Sequence, residues 1–563
     1  VPAKQKKTSK EFTKPTSTKA AVSKRNHKYL FVIGGVMSGV GKGISTASIG
    51  VILQSMGYKV NLMKVDPYLN VDAGTMNPVE HGETFVMNCG LETDQDMGTY
   101  ERFLGRDLIR EDYVTSGMVY KDVIEKERNL EYGGHCVEAI PHIRDEIVNR
   151  YKRSARLNKS DITIVEIGGT VGDYQNIMFM EAARVMKVNN PHDVSFIMVS
   201  FLPIPKKLGE MKTKPTQNAI RQLNSYGIQA DFIIARSEES LDARRKQKLA
   251  VQCNVPKGNV ISAPDIASIY DVPVNFDEDN IGKMITDSLH MNPKIKNSKI
   301  AKEGLTNWKK FLKKTKNNAK TVKIAVVGKY FDTGDFVLSD SYLSVIEALK
   351  FSAYHENVQP ELTWINSKKY DDNPKLVKEL KGFDGVIVPG GFGESGIEGK
   401  LAAIKFVREN KIPYLGLCYG MQLLTIEFAR NVVGLKGAQT AEINPDAEHV
   451  VIDIMPDQKK KIAEGKYGGT MRLGAYPCYL RKNTIAQKAY GVTEVSERHR
   501  HRYEVNPEYI AELEDHGLTF SGTSKDMRLM EIAELSKKMH PFMVGTQFHP
   551  ELQARPLSPH PLF

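Results

Sequence analysis

Cysteine is scarce in this chain, and long hydrophobic runs are scarcer still. The five cysteines, Cys89, Cys136, Cys253, Cys418 and Cys478, show no paired spacing, which argues against a disulfide framework or a zinc site and fits a reducing cytoplasm. The longest apolar run, "VSFIMVSFLPIP" at 194–205, falls short of the roughly 18 residues that span a bilayer. It reads as a buried strand, and no membrane partner is expected. Acidic residues are outnumbered, giving a net charge of +11, but much of the excess sits in two segments. Residues 1–28 are rich in Lys, Ser and Thr and lack the apolar stretch of a secretory signal, so they read as a disordered basic arm. Residues 291–321 crowd lysines around a few apolar residues and read as a linker with one helical turn at Trp308. The remaining charge suits anionic nucleotides rather than nucleic acid.

At 563 residues the chain exceeds what one hydrophobic core supports. From Tyr29 an apolar run, a glycine-rich bend and small residues at helical spacing follow one another, as in a strand, a phosphate loop and a helix. Further strands are expected at "KVNLMKVD", "ITIVEIGG", "VSFIMVSF", "ADFIIARS" and "GNVISAP". Helix-length spacers between them predict an α/β fold on a mostly parallel sheet over 29–290. A second half, 322–563, repeats this grammar with "VKIAVVG", "GVIVPGG" and "IPYLGLC", then turns to shorter strands near "GTMRLGAYPC" and "HPFMVGTQFHPE".

In "GGVMSGVGKG" (34–43) consecutive glycines let backbone N–H groups face an oxyanion at a helix N-terminus, and Lys42 adds a point charge. The Walker A pattern is broken twice: Val36 replaces its first glycine and Gly43 its Ser/Thr magnesium ligand. A metal must then use carboxylates, and Asp96 and Glu166 are the candidates. A second cluster, Lys212, Thr213, Lys214, Pro215, Thr216 and Gln217 with Lys248 further on, suits another anionic ligand, the alternative being a solvated loop.

Cys418 lies in "GLCYGMQ", between a strand and a helix. The flanking glycines suit a nucleophile elbow, although a lone cysteine beside a strand is commonly core filler. His549 and Glu551, two apart in "QFHPE", would share one face of an extended segment as a base and its orienting acid. Backbone N–H groups near Gly390, Gly391 and Gly393 and at Tyr419 are candidate oxyanion donors.

Together these residues resemble the glutamine-dependent CTP synthase family from about Tyr29 to Phe563, through "KVDPYLNVDAGTMNPVEHGE", "GEMKTKPTQ", "RHRHRYEVN" and "QFHPE". The resemblance implies two Rossmann-like three-layer domains: an amidoligase domain of dethiobiotin-synthetase type and a class I glutamine amidotransferase domain. It implies a cytoplasmic ligase that makes CTP from UTP, ATP and L-glutamine, with Mg²⁺, GTP as activator and CTP as inhibitor. It also implies a homotetramer, a dimer of dimers, that stacks into filaments. Carried across by motif, Gly39, Val40, Gly41, Lys42, Gly43, Ile44, Lys64 and Asp96 would handle ATP, with Arg236, Pro264, Asp265 and Ile266 around adenine. Ser38, Asp173, Tyr174, Gln175, residues 212–217 and Lys248 would bind UTP or CTP. Asp96 and Glu166 would hold Mg²⁺. Cys418, His549 and Glu551 would form the triad, and Gly391, Tyr419, Gly420, Met421, Gln422, Glu442 and Arg502 would bind glutamine.

A cobyrinic acid amidating synthase has a similar layout, but "KTKPTQ" and "RHRHRYEVN" separate the two. An RNA-binding or filament scaffold reading of "RHRHR" (498–502) is disfavoured by its place in the amidotransferase half. Gln175 stands where the family usually has an acid, Glu138 where a glutamine is common and Gln252 where an aromatic residue is expected, all toward the pyrimidine nucleotide. These replacements predict weakened or altered CTP inhibition with turnover retained; a CTP titration giving ordinary tight inhibition contradicts that.

Overall fold

The structure, a computed structural model, describes residues 27–207, 209–294, 303–316, 320–328, 339–391, 393–394, 396–464 and 468–563. The expected basic arm lies outside these residues except at His27 and Lys28, and so does part of the lysine-rich segment.

The first half is built on a seven-stranded sheet ordered Tyr113–Thr115, Val60–Asp66, Ile162–Ile167, Lys28–Gly35, Val194–Phe201, Phe232–Ser237 and Val260–Pro264. Every pairing is parallel. Helices cover both faces, which explains why these strands read as unbroken apolar runs rather than alternating ones. The second half holds a nine-stranded sheet. Its parallel portion is Gln359–Asn366, Thr321–Gly328, Gly385–Val388, Tyr414–Leu417 and Met543–Thr546. Met530–Leu535, Leu518–Thr523, Arg472–Leu480 and Glu494–His501 extend it antiparallel. Among the described residues no helix is long and apolar enough to cross a membrane.

The two halves are packed face to face. Strand Arg472–Leu480 meets the turn after Phe85–Val86 so closely that a Cβ on Gly474 (φ 96°) would stand 2.6 Å from the Gly90 nitrogen. The Ala475 N–H donates to the Asn88 carbonyl at 3.0 Å. In place of the expected single turn, the lysine-rich segment carries a ten-residue helix, Thr306–Thr315. Its lysines face solvent while Trp308, Phe311 and Leu312 are buried in one apolar cluster with Phe103, Tyr270 and Phe351. The Trp308 indole donates to the Tyr270 carbonyl at 2.7 Å. An amphipathic spacing hidden among lysines thus becomes part of the core that joins the halves. Trp308→Ala is expected to destabilise the protein by about 3–5 kcal/mol; a urea midpoint within experimental error of wild type contradicts that role.

Candidate active site

Cys418 ends strand Tyr414–Leu417 and caps helix Tyr419–Phe428 with φ 50° and ψ −97°, a strained conformation for a residue with a Cβ. A Cβ on Gly416 would stand 2.7 Å from the Gly420 carbonyl carbon, so both flanking glycines are needed for the turn to close. The thiol is held where the helix presents its free N–H groups. The Cys418 Sγ lies 3.7 Å from the Arg500 carbonyl oxygen and 3.6 Å from the Gln547 Nε2. His549 Nδ1 and Glu551 Oε1 are 2.7 Å apart. This pairing does not use strand alternation: the strand ends at Thr546, and Glu551 comes from a 3₁₀ turn, Pro550–Gln553, that curls it back onto the imidazole. Burial pushes the His549 imidazolium down, but the Glu551 carboxylate and Cys418 outweigh it and hold its pKa well above the usual histidine range. The arrangement pairs a thiol with an oriented base.

These groups open into a cavity of about 590 Å³ whose walls come from both halves. Gly391, Tyr419, Gln422, Glu442 and Arg502 line it, facing Gly74, Thr75, Met76, Pro78, Glu83 and Thr84 from the first half. Glu442 accepts from the Gly393 N–H at 2.8 Å, and Arg502 donates to Gln458 at 2.7 Å and Thr470 at 3.0 Å. Gly420 and Met421 do not line the cavity; they pack behind the elbow, against Val388 and Gly545.

At the other centre, Lys42 closes the phosphate loop by donating to the Gly169 carbonyl at 2.8 Å. Burial pulls its ammonium below the ordinary lysine value, although Glu166 opposes this. A polyphosphate arriving there would oppose that fall as well. Lys64 bonds to both Asp96 and Glu166, the latter at 3.0 Å, with Asp66 at 3.7 Å. The break in the Walker pattern now has a physical reason. A Cβ on Gly43 would stand 2.5 Å from Asp96 Oδ1, so the missing side chain makes room for a carboxylate where the hydroxyl would be. Gly41, Ile44, Arg236, Pro264, Asp265 and Ile266 come together around a separate cavity of about 170 Å³.

Ser38, Tyr174, Gln175 and Lys248 are exposed, whereas Thr213, Thr216 and Gln217 are buried and brace the loop. Lys212 pairs with Glu210 at 2.5 Å, and Pro215 lies in the first turn of helix Lys214–Ser225, whose Ala219 packs against Gly35 of the phosphate-loop strand. The Asp173 carboxylate accepts from the Thr170 N–H at 2.6 Å. Glu138, Gln175 and Gln252 are exposed on three separate elements. Sequence reading missed Tyr100, whose hydroxyl donates to Glu166, and Gln547 on the thiol. It also missed Glu83, whose carboxyl burial pushes up to about 7 against the Ser344 hydrogen bonds. Gln547 and Glu83 stood inside stretches already singled out, while Tyr100 meets Glu166 only through the fold.

A thiol and base opening into a cavity walled by residues 74–84 of the half that carries the phosphate loop fit an enzyme that joins a glutamine amidotransferase to a nucleotide-using domain. The model for the CTP synthase N-terminus matches residues 28–291, and that for class I glutamine amidotransferases matches 337–563. The CTP synthase of Thermococcus gammatolerans is 48% identical, covering 95% of this chain and 97% of its own. That of Halalkalibacterium halodurans is 46% identical, with coverage of 95% and 98%. The Trypanosoma brucei CTPS glutaminase domain, solved with bound acivicin, is 36% identical over 43% of this chain and 90% of its own, with a TM-score of 0.39. The chain belongs to the CTP synthase family and is a ligase of the glutamine-hydrolysing kind.

Two glycines test the geometry. A Cβ on Gly390 would stand 2.9 Å from His549 Cε1, so Gly390→Ala is expected to lower glutamine-dependent product formation about tenfold or more and leave the ammonia-dependent reaction intact. Gly43→Ala, by displacing Asp96, should depress both reactions. Steady-state rates with each nitrogen source check the pair, and equal losses in both reactions for Gly390→Ala would contradict it.

Proposed function

We propose that this chain converts UTP, ATP and glutamine to CTP, ADP, phosphate and glutamate through two centres that exchange free ammonia internally. The observation that carries this reading is the shared cavity, in which Cys418 and His549 face residues 74–84 of the nucleotide-binding half.

Cys418 attacks the glutamine amide carbon, and the N–H groups at the start of helix Tyr419–Phe428, with that of Gly391, stabilise the oxyanion. His549, kept basic by Glu551, hands its proton to the departing ammonia and then activates water, which cleaves the thioester to glutamate. Gln422, Glu442 and Arg502 hold the amino acid. At the second centre O4 of UTP is a poor leaving group. The γ-phosphoryl of ATP is transferred to it, ADP leaves, and ammonia adds at C4 with expulsion of phosphate. The loop Gly39–Ile44 with Lys42 cradles the ATP phosphates, Lys64 steadies the transferred group, and Arg236 with Pro264–Ile266 frames adenine. Ser38, Asp173–Gln175, residues 212–217 and Lys248 receive the pyrimidine nucleotide.

Asp96 and Glu166 are the residues that would hold Mg²⁺. They are hard oxygen donors gathered on one ammonium, and among the described residues no cluster of three or more potential metal-ligating side chains forms a closed site. That donor set suits an ion that takes most of its ligands from phosphate and water. When bound, it supplies charge neutralisation on the phosphates. Activation by GTP, inhibition by CTP, a tetramer that stacks into filaments and a cytoplasmic location complete the reading, on family resemblance.

Cys418→Ala decides the division of labour. The variant is expected to lose glutamine-dependent CTP formation and keep ammonia-dependent formation, measured by ultraviolet detection of CTP. Loss of both, or of neither, contradicts it.

A further inference from the structure

The run "RHRHR" (498–502) forms most of the end of strand Glu494–His501, and its two residue types face opposite ways. His499 turns into its own half, onto Glu531 at 2.7 Å. Arg498 and Arg500 reach the first half instead. Arg498 is fully buried; its Nη2 forms an ion pair with Glu101 at 2.9 Å and donates to Asp107 at 3.1 Å, and its Nε donates to Asn88 at 2.5 Å. Arg500 donates to Glu92 at 2.8 Å. The main chain of these same two arginines holds the reacting groups. The Arg498 carbonyl accepts the His549 N–H at 2.7 Å, and the Arg500 carbonyl accepts from the Cys418 thiol at 3.7 Å.

We infer that Glu101, in the nucleotide-binding half, is a positioning residue for glutamine hydrolysis, acting through Arg498 on the placement of His549. This inference rests on the reading of Cys418 and His549 as nucleophile and base. Glu101 lies on helix Gln95–Leu104, which also carries Asp96 and Tyr100 of the phosphate centre. It touches no group of the triad itself. Its Oε1 accepts from the Leu108 N–H at 3.0 Å and its Oε2 from Arg555 at 2.6 Å, so the carboxylate is fixed from its own side as well. Removing its charge leaves Arg498 underpaired in a buried place and frees the strand on which His549 hangs. A misplacement of about 1 Å in a reacting group costs on the order of a hundredfold in rate.

The test is Glu101→Gln in the full chain, with Asp107→Asn as a milder second variant because Asp107 is half exposed. Initial rates are measured for glutamine hydrolysis and for ammonia-dependent CTP formation, with thermal melting alongside. For Glu101→Gln we expect kcat for glutamine hydrolysis to fall by roughly ten- to a hundredfold, with KM for glutamine and the ammonia-dependent rate both within about twofold. Asp107→Asn should show the same split with a smaller loss. A rise in KM without a fall in kcat, equal losses in both reactions, or no loss in either variant overturns the inference. If Glu101→Gln fails to fold, the Asp107→Asn split alone decides. Failure of the underlying reading looks different: wild type itself would then hydrolyse no glutamine.

Discussion

The guanidinium of Arg498 is buried between two carboxylates of the opposite half, Glu101 and Asp107, and much of the molecule depends on that placement. A buried ion group adds little net stability over an apolar replacement, because desolvation consumes the Coulombic gain. What it imposes is geometry. Its donors are directional, with acceptors also at Val86 and Leu552, so a shift of one half against the other would strand a charge away from water. The apolar cluster of Phe103, Tyr270, Trp308 and Phe351 supplies the adhesion that this ionic group orients.

With the seam fixed, two strained or crowded local arrangements become tenable. Cys418 occupies a backbone conformation that persists only where its surroundings over-determine it, and those surroundings include Gly416, Gly420 and the Thr546 carbonyl, which accepts the Cys418 N–H at 2.6 Å. Lys64 gathers Asp66, Asp96 and Glu166, whose mutual repulsion would be costly without the ammonium among them. Burial pushes the Glu166 carboxyl up, while Lys64 opposes that rise.

Much of this was legible in the sequence wherever the signal was local. Unbroken apolar runs marked the parallel strands, and the loop "GGVMSGVGKG" and the elbow "GLCYGMQ" marked both centres. The absence of a hydroxyl at Gly43 turned attention to carboxylates, and the fold shows Asp96 occupying that space. His549 and Glu551 were paired for the wrong reason, since a 3₁₀ turn and not strand alternation joins them. The Thr306–Thr315 helix was obscured by lysines that dominate composition while three apolar residues carry the packing. Contacts such as Arg498 with Glu101, far apart along the chain, leave no pattern in a single sequence. The opposed facing of "RHRHR" was readable as alternation, but its targets were not.

The most direct test of internal nitrogen transfer is isotopic. Glutamine labelled with ¹⁵N at the amide is supplied with ATP, UTP and Mg²⁺ in the presence of excess unlabelled ammonium, and the exocyclic nitrogen of the CTP formed is analysed by mass spectrometry. If ammonia passes from Cys418 to the phosphate centre without leaving the protein, the first-formed CTP carries the label nearly undiluted at a pH where little of the outside nitrogen is unprotonated. CTP whose label matches the mixed pool in the medium would contradict that transfer.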